Sequence, residues 1–208
     1  MTEQDAPSAA RGPMPARGGG PGTLDTRVVH DGRIVHLSVD TVRFPDGSTG
    51  ELEMVRHPGA AAVLPVVEDP EGPDPEVLLL RQYRYASGGY LYEVPAGLPD
   101  GPDEGWEACA RRELEEETGW RAGELREMTR IYTTPGFTNE VIHLFVAWEL
   151  ERGDRELDED EFLEVNRVPF STALEWVREG RIVDGKSVST LLYAAAFVLD
   201  AGSSGVGG

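Results

Sequence analysis

Residues 97–120 read GLPDGPDEGWEACARRELEEETGW. Gly101 to Gly105 has loop composition, whereas Trp106 to Thr118 predicts a helix. Gly119 follows at the position where a left-handed C-cap requires glycine. Helical spacing places Glu113, Glu116 and Glu117 on one face, because residues three and four apart are neighbours. Like charges at these spacings cost a helix about 0.2–0.5 kcal/mol per pair, and anions near a helix C-terminus oppose the macrodipole. Helix propensity alone therefore does not account for the cluster. A bound divalent cation would neutralise it, and hard cations such as Mg²⁺ take carboxylate oxygens. The competing reading is a solvated acidic face, the usual meaning of a charge run.

The whole chain has 208 residues, 39% hydrophobic and 27% charged, which is enough for one globular domain with a real core. Residues 1–22 and 201–208 are rich in Gly, Ala, Ser or Pro and poor in large apolar side chains, so both predict disordered tails. The formal charge is 19 − 38 = −19. Such a chain repels nucleic acid and anionic membranes, so neither is an expected partner. It also repels phosphorylated substrates, which demands metal ions or local arginines at any phosphate site. The single cysteine, Cys109, excludes a disulfide within the chain and fits a reducing cytoplasm. No apolar signal-peptide core opens the sequence, and Leu191–Leu199 is too short an apolar run to span a bilayer.

Strands are expected on either side of the Asp31-Gly32 turn and at Ala60–Val67, Val77–Tyr85, Tyr90–Val94, Glu127–Thr133 and Val141–Leu150. Val77–Tyr85 is expected to pair with Ala60–Val67. Ser171 is placed to cap a helix running to about Glu179. Ser187–Leu199 predicts a last helix with Leu191, Leu192, Ala195 and Val198 on its apolar side. Strands and helices mix without strict alternation, which favours an α+β or mixed-sheet layered domain.

The segment Gly97–Trp120 resembles the Nudix box, G-x5-E-x7-R-E-U-x-E-E-x-G-U. Gly97, Glu104, Arg112, Glu113, Leu114, Glu116, Glu117, Gly119 and Trp120 match it. One departure stands out: six residues rather than five separate Gly97 from Glu104, an insertion in the loop before the helix. The resemblance implies an α+β Nudix fold, an α/β/α sandwich around a mixed sheet at residues 60–200, preceded by antiparallel strands at 23–59. It implies Glu113, Glu116, Glu117 and the carbonyl of Ala96 as ligands of Mg²⁺, with Mn²⁺ as a substitute. Glu104 and Arg112 would form a brace, and Cys109 would face the core.

Three features outside the box resemble the ADP-ribose pyrophosphatase subgroup. Pro135-Gly136-Phe137, sixteen residues after Gly119 and trailed by Glu140, matches a substrate-side turn, although Pro-Gly also marks ordinary turns. Arg81-Gln82-Tyr83-Arg84, followed by Glu93-Val94-Pro95-Ala96-Gly97, matches a strand whose arginine contacts phosphate. A guanidinium fork suits a bidentate grip on a pyrophosphate, while a strand-edge salt bridge is the plainer alternative for Arg84. The acidic loop and the strand after it, at 157–165, resemble the segment that supplies a catalytic glutamate, with Glu161 the first choice and Glu159 the second.

The implied reaction is metal-dependent hydrolysis of ADP-ribose to AMP and ribose 5-phosphate, with Glu117 at its centre. Arg84, Glu93, Pro135, Gly136, Phe137 and Glu140 would line the substrate. The subgroup implies a homodimer, with residues 23–59 swapped between subunits and Phe44 and Arg56 as candidate contributors to an adenine site. The alternatives are a Nudix hydrolase of GDP-mannose, another ADP-sugar or a flavin dinucleotide, a non-catalytic Nudix-fold binding module, and an acidic interaction protein with a chance motif.

Overall fold

The computed structural model describes residues 22–154 and 163–199. Glu159 and Glu161 lie outside them. The chain divides into two compact units between His57 and Pro58.

The first unit is a three-stranded antiparallel meander, β1 (Thr23–Asp31), β2 (His36–Arg43) and β3 (Thr49–Arg56), in the order β1-β2-β3. The Asp31-Gly32 turn falls between β1 and β2 as expected. Arg56 donates to the buried carboxylate of Asp40 across the β2–β3 ladder. Leu24, Val28, Val29, Ile34 and Leu52 are exposed on this unit.

The second unit is built on β4 (Ala60–Pro65), whose residues are all buried. It pairs in parallel with β9 (Val141–Arg152) and antiparallel with β7 (Ala96–Gly97). With β8 (Trp120–Tyr132) these form a mixed sheet in the order β7-β4-β9-β8. A strand that carries a parallel pairing is normally covered on both faces, and its composition shows it: Ala-Ala-Ala-Val-Leu, without polar alternation. Side chains alternate across the sheet. Ala61 and Val63 therefore point to one face, where they pack with Cys109, Ala110 and Leu114 of helix α1 (Trp106–Thr118) and with Phe145 and Ala147. Ala60, Ala62 and Leu64 point to the other face. There they meet Val77 and Leu79 of β5 (Glu76–Arg84), Phe170 and Ala173 of α2 (Phe170–Arg178) and Leu191 and Ala194 of α3 (Gly185–Phe197). The result is the expected layered α+β arrangement around a mixed sheet.

Three local expectations are corrected. β5 does not ladder with β4. It lies between β10 (Leu163–Pro169) and β6 (Gly89–Glu93) in a separate antiparallel sheet; it packs on β4 through side chains, and its backbone meets the end of that strand at the bridge Val66–Val77. Two adjacent apolar runs look like a hairpin in sequence, but both faces of β4 are already committed to the core and its edges to β7 and β9. The cap of α2 is not Ser171. The Ser171 N–H and Oγ both donate to Asp74, at 2.8 Å each, so a loop remote in sequence closes this helix end. On α3, Leu192 is exposed and Ala194 is buried, because the buried face runs through Leu191 and Ala194, three residues apart; the helix also starts earlier than expected, capped by Asp184, which accepts from the Ser187 N–H at 2.9 Å.

Cys109 is fully buried on the inner face of α1, against the sheet, as expected. Burial, followed by the nearby Glu113 charge, pushes its thiol up to about 12. The reactive thiolate is therefore almost absent at neutral pH. Thiol reagents at pH 7–8 are expected to leave the folded protein unlabelled and to label it stoichiometrically in denaturant, which mass spectrometry reads directly. Among the described residues no helix is long and apolar enough to cross a membrane.

Candidate active site

Helix α1 and β7 converge because both pack on β4, α1 on its face and β7 along its edge. Gly119 closes the helix in the left-handed conformation at φ 71°, its N–H donating to the Glu115 carbonyl at 2.7 Å. With Leu114, Ala110 and Cys109 turned into the sheet, Glu113 and Glu117 fall beside β7. Glu117 is 2% exposed, and its Oε2 accepts the Ala96 N–H at 2.9 Å. Glu113 approaches Gly97 so closely that a Cβ there would lie 2.0 Å from Oε1. Glycine is needed at position 97 for this contact rather than for an unusual φ. Gly97→Ala must displace the Glu113 carboxylate. Since misplacement by about 1 Å can cost on the order of 10²-fold in rate, turnover is expected to fall by about that factor, with a smaller change in melting temperature.

Arg112 ties the acidic face together. Its Nε and Nη2 form a fork on Glu104, both at 3.1 Å, and Nη2 also donates to the Leu98 carbonyl at 2.8 Å. Nη1 donates to Glu113 and Glu116, each at 2.8 Å. The expected Glu104–Arg112 brace is thus present, and it clamps the loop that carries the insertion. Hydrogen bonding to Arg112 holds the Glu104 carboxyl below the usual carboxylate range.

Among the described residues no three His, Cys, Asp or Glu side chains converge into a ready-made metal cage. The reason is visible in the contacts of Arg112, which draws Glu113 and Glu116 onto its own Nη1. The donors that face β7 are nonetheless all hard oxygens. Mg²⁺ is generally held through one or two carboxylates with waters and substrate phosphates rather than by an all-protein cage. The chemistry of Glu113, Glu116, Glu117 and the Ala96 peptide fits such an ion.

A second cluster lies at the ends of β5 and β6. Arg84 donates through Nε and Nη2 to the two oxygens of Glu93, both at 2.9 Å. The Glu93 side chain is 2% exposed, that of Arg84 41%. Burial opposes charge on Glu93, but the Arg84 fork and the nearby Lys186 outweigh it and hold the carboxyl below its ordinary range. The same hydrogen bonds raise Arg84. The salt bridge foreseen as an alternative for Arg84 is present. A guanidinium carries more N–H donors than the two spent here, so it keeps donors for an anion. Sequence reasoning missed Lys186, whose Nζ donates to Glu93 and, at 3.0 Å, to Asp184. The signal available was Asp184 as a helix cap, which would have started α3 at Gly185 and set Lys186 in its first turn.

Pro135 and Gly136 sit in the turn of the β8–β9 hairpin. The Phe137 and Thr138 N–H groups donate back to the Thr134 carbonyl at 3.2 and 3.1 Å, and Thr133 Oγ1 donates to Glu140 at 2.7 Å. Phe137 is exposed. The register pairs Ala60 with Ile142 on one side of β4 and Ala61 with Gly97 on the other, so this turn and β7 occupy the same end of the sheet.

The chain is 39% identical to the ADP-ribose pyrophosphatase of Bacillus subtilis, over 82% of its own length and 90% of that protein. It is 38% identical to the methanol dehydrogenase activator of Bacillus methanolicus, over 82% and 90% of the two chains. It is 40% identical to the GDP-mannose pyrophosphatase of Klebsiella pneumoniae, over 62% and 68%. The solved structure of an ADP compounds hydrolase shares the fold with a TM-score of 0.72 at 24% identity, covering 86% of this chain and 94% of that one. Residues 56–189 match the NUDIX domain, and the chain belongs to that family.

Proposed function

We propose that the chain hydrolyses the pyrophosphate of ADP-ribose to AMP and ribose 5-phosphate, with Mg²⁺ as its metal and Mn²⁺ as a substitute. The observation that carries this reading is the meeting of Glu113 and Glu117 with the Ala96–Gly97 backbone, where a buried carboxylate is pinned at the mouth of an acidic helix face. Glu113, Glu116, Glu117 and the Ala96 carbonyl would hold the ion. When bound, it would supply charge neutralisation for the pyrophosphate oxygens.

The protein's own groups do the rest. Arg84 binds the diphosphate with the donors that Glu93 leaves over, and so supplies the local cation that a chain of net charge −19 requires. The turn at Pro135, Gly136 and Phe137, with Glu140, borders the substrate from the same end of the sheet. Glu161, or failing that Glu159, orients the attacking water; this assignment rests on the resemblance of the acidic loop alone.

ADP-ribose is preferred over GDP-mannose because the B. subtilis relative is matched over 90% of its length and the K. pneumoniae relative over 68%. The test is kcat/KM for both substrates under the same Mg²⁺ concentration. ADP-ribose is expected to lead by at least about tenfold, and a lead for GDP-mannose would leave the chemistry standing and overturn the substrate. The exposed apolar residues Val28, Val29, Ile34 and Leu52 support a homodimer built on the first unit, which sedimentation equilibrium tests directly. The single buried cysteine is compatible with a cytoplasmic location.

A further inference from the structure

The first turn of α3 grips two consecutive residues at the end of β6. Lys186 Nζ donates to the Glu93 carboxylate, and Ser187 Oγ accepts the Val94 N–H at 2.8 Å. Both gripping residues are held by Asp184: its Oδ2 lies 3.0 Å from Lys186 Nζ and accepts the Ser187 Oγ–H at 2.6 Å. Lys186 is 12% exposed and Ser187 fully buried. Glu93 therefore faces two cations, Arg84 from β5 and Lys186 from α3.

The charge count explains why one cation would not be enough. A buried carboxylate must remain paired, because an uncompensated charge is strongly destabilising. With Arg84 alone, the charge of Glu93 would cancel that of the guanidinium and compete with any phosphate for its donors. Asp184 would add a second negative charge nearby. Lys186 balances one of the two carboxylates, which frees the guanidinium to face a further anion.

From this arrangement we infer that Lys186 is a positioning residue for diphosphate binding, acting through Glu93 on Arg84 rather than touching the substrate. The inference rests on the reading of Arg84 as the diphosphate contact. Removing Lys186 leaves Glu93 with Arg84 as its remaining partner and tightens its hold on the fork, so the loss falls on substrate binding.

The experiment compares wild type with Lys186→Met, Lys186→Arg, Arg84→Ala and the double variant Arg84→Ala/Lys186→Met, using ADP-ribose with Mg²⁺. Lys186→Met is expected to raise KM about ten- to a hundredfold with kcat within about twofold, the signature of lost binding rather than lost chemistry. Lys186→Arg should restore KM to near the wild-type value. The double variant leaves the buried Glu93 with neither cation and is expected to melt lower, but its KM should be no higher than that of Arg84→Ala, since Lys186 acts on binding through that residue. Three outcomes overturn the inference while the role of Arg84 stands: a KM unchanged by Lys186→Met, a loss confined to kcat and melting temperature, or a double variant in which the two effects on KM simply add. If Arg84→Ala itself leaves KM unchanged, the diphosphate role of Arg84 falls and this inference falls with it. A raised KM for Arg84→Ala beside a normal Lys186→Met sinks the inference alone.

Discussion

Glu117→Gln is expected to lower turnover of ADP-ribose by about 10³-fold while the melting temperature moves by no more than a few degrees. Glutamine has the same shape, and its amide oxygen can still accept the Ala96 N–H that Glu117 accepts at 2.9 Å. The packing of a side chain that is 2% exposed is therefore preserved. What is lost is one full negative charge at the centre of the acidic face. Charge stabilisation by a bound metal is worth several kcal/mol, and each 1.36 kcal/mol is tenfold in rate. Steady-state kinetics with circular dichroism melting checks both halves. Full activity in this variant would remove Glu117 from the chemistry.

The second large effect is structural. Arg112→Met keeps much of the apolar stem but strips a charge that Glu104, Glu113 and Glu116 share. Breaking a fully buried pair costs roughly 3–5 kcal/mol. Arg112 is 21% exposed, so a loss of about 2–3 kcal/mol is expected in urea unfolding. The pH dependence follows from Glu104. Arg112 depresses its folded-state pKa, so the stability it contributes is present above the unfolded carboxylate value and is lost as pH falls through the folded one. The stability gap between wild type and variant should therefore narrow on acidification below the ordinary carboxylate range. Added Mg²⁺ should stabilise the variant more than the wild type, because the three glutamates have lost their organic cation.

The parts of this protein that were legible in sequence are those whose signals are local. Helix α1 runs from Trp106 to Thr118 with Gly119 as its left-handed cap, as residue spacing predicted. The burial of Cys109 and the Glu104–Arg112 brace followed from the box resemblance. Non-local pairings were not legible. Nothing in the run Val77–Tyr85 says that its neighbour is β10, more than eighty residues away, rather than the adjacent apolar run. The capping of α2 by Asp74 is hidden for the same reason, since the acceptor comes from another loop. Lys186 was missed because the expected helix began at Ser187, which left Lys186 in the loop before it. Its meaning comes only from Glu93, which reaches it through the fold. For Arg84 the structure shows the plainer alternative, a salt bridge within the chain, with Glu93 as its partner.

The central expectation is that the acidic face of α1 acts on a nucleoside diphosphate sugar. The most direct measurement is chromatographic product analysis of ADP-ribose incubated with the protein, with and without Mg²⁺, with Glu117→Gln run in parallel. AMP and ribose 5-phosphate formed in equal amounts by the wild type with Mg²⁺, about a thousandfold more slowly by the variant and not at all after chelation, is the result expected. Intact ADP-ribose in every sample, or equal cleavage by wild type and Glu117→Gln, would contradict it.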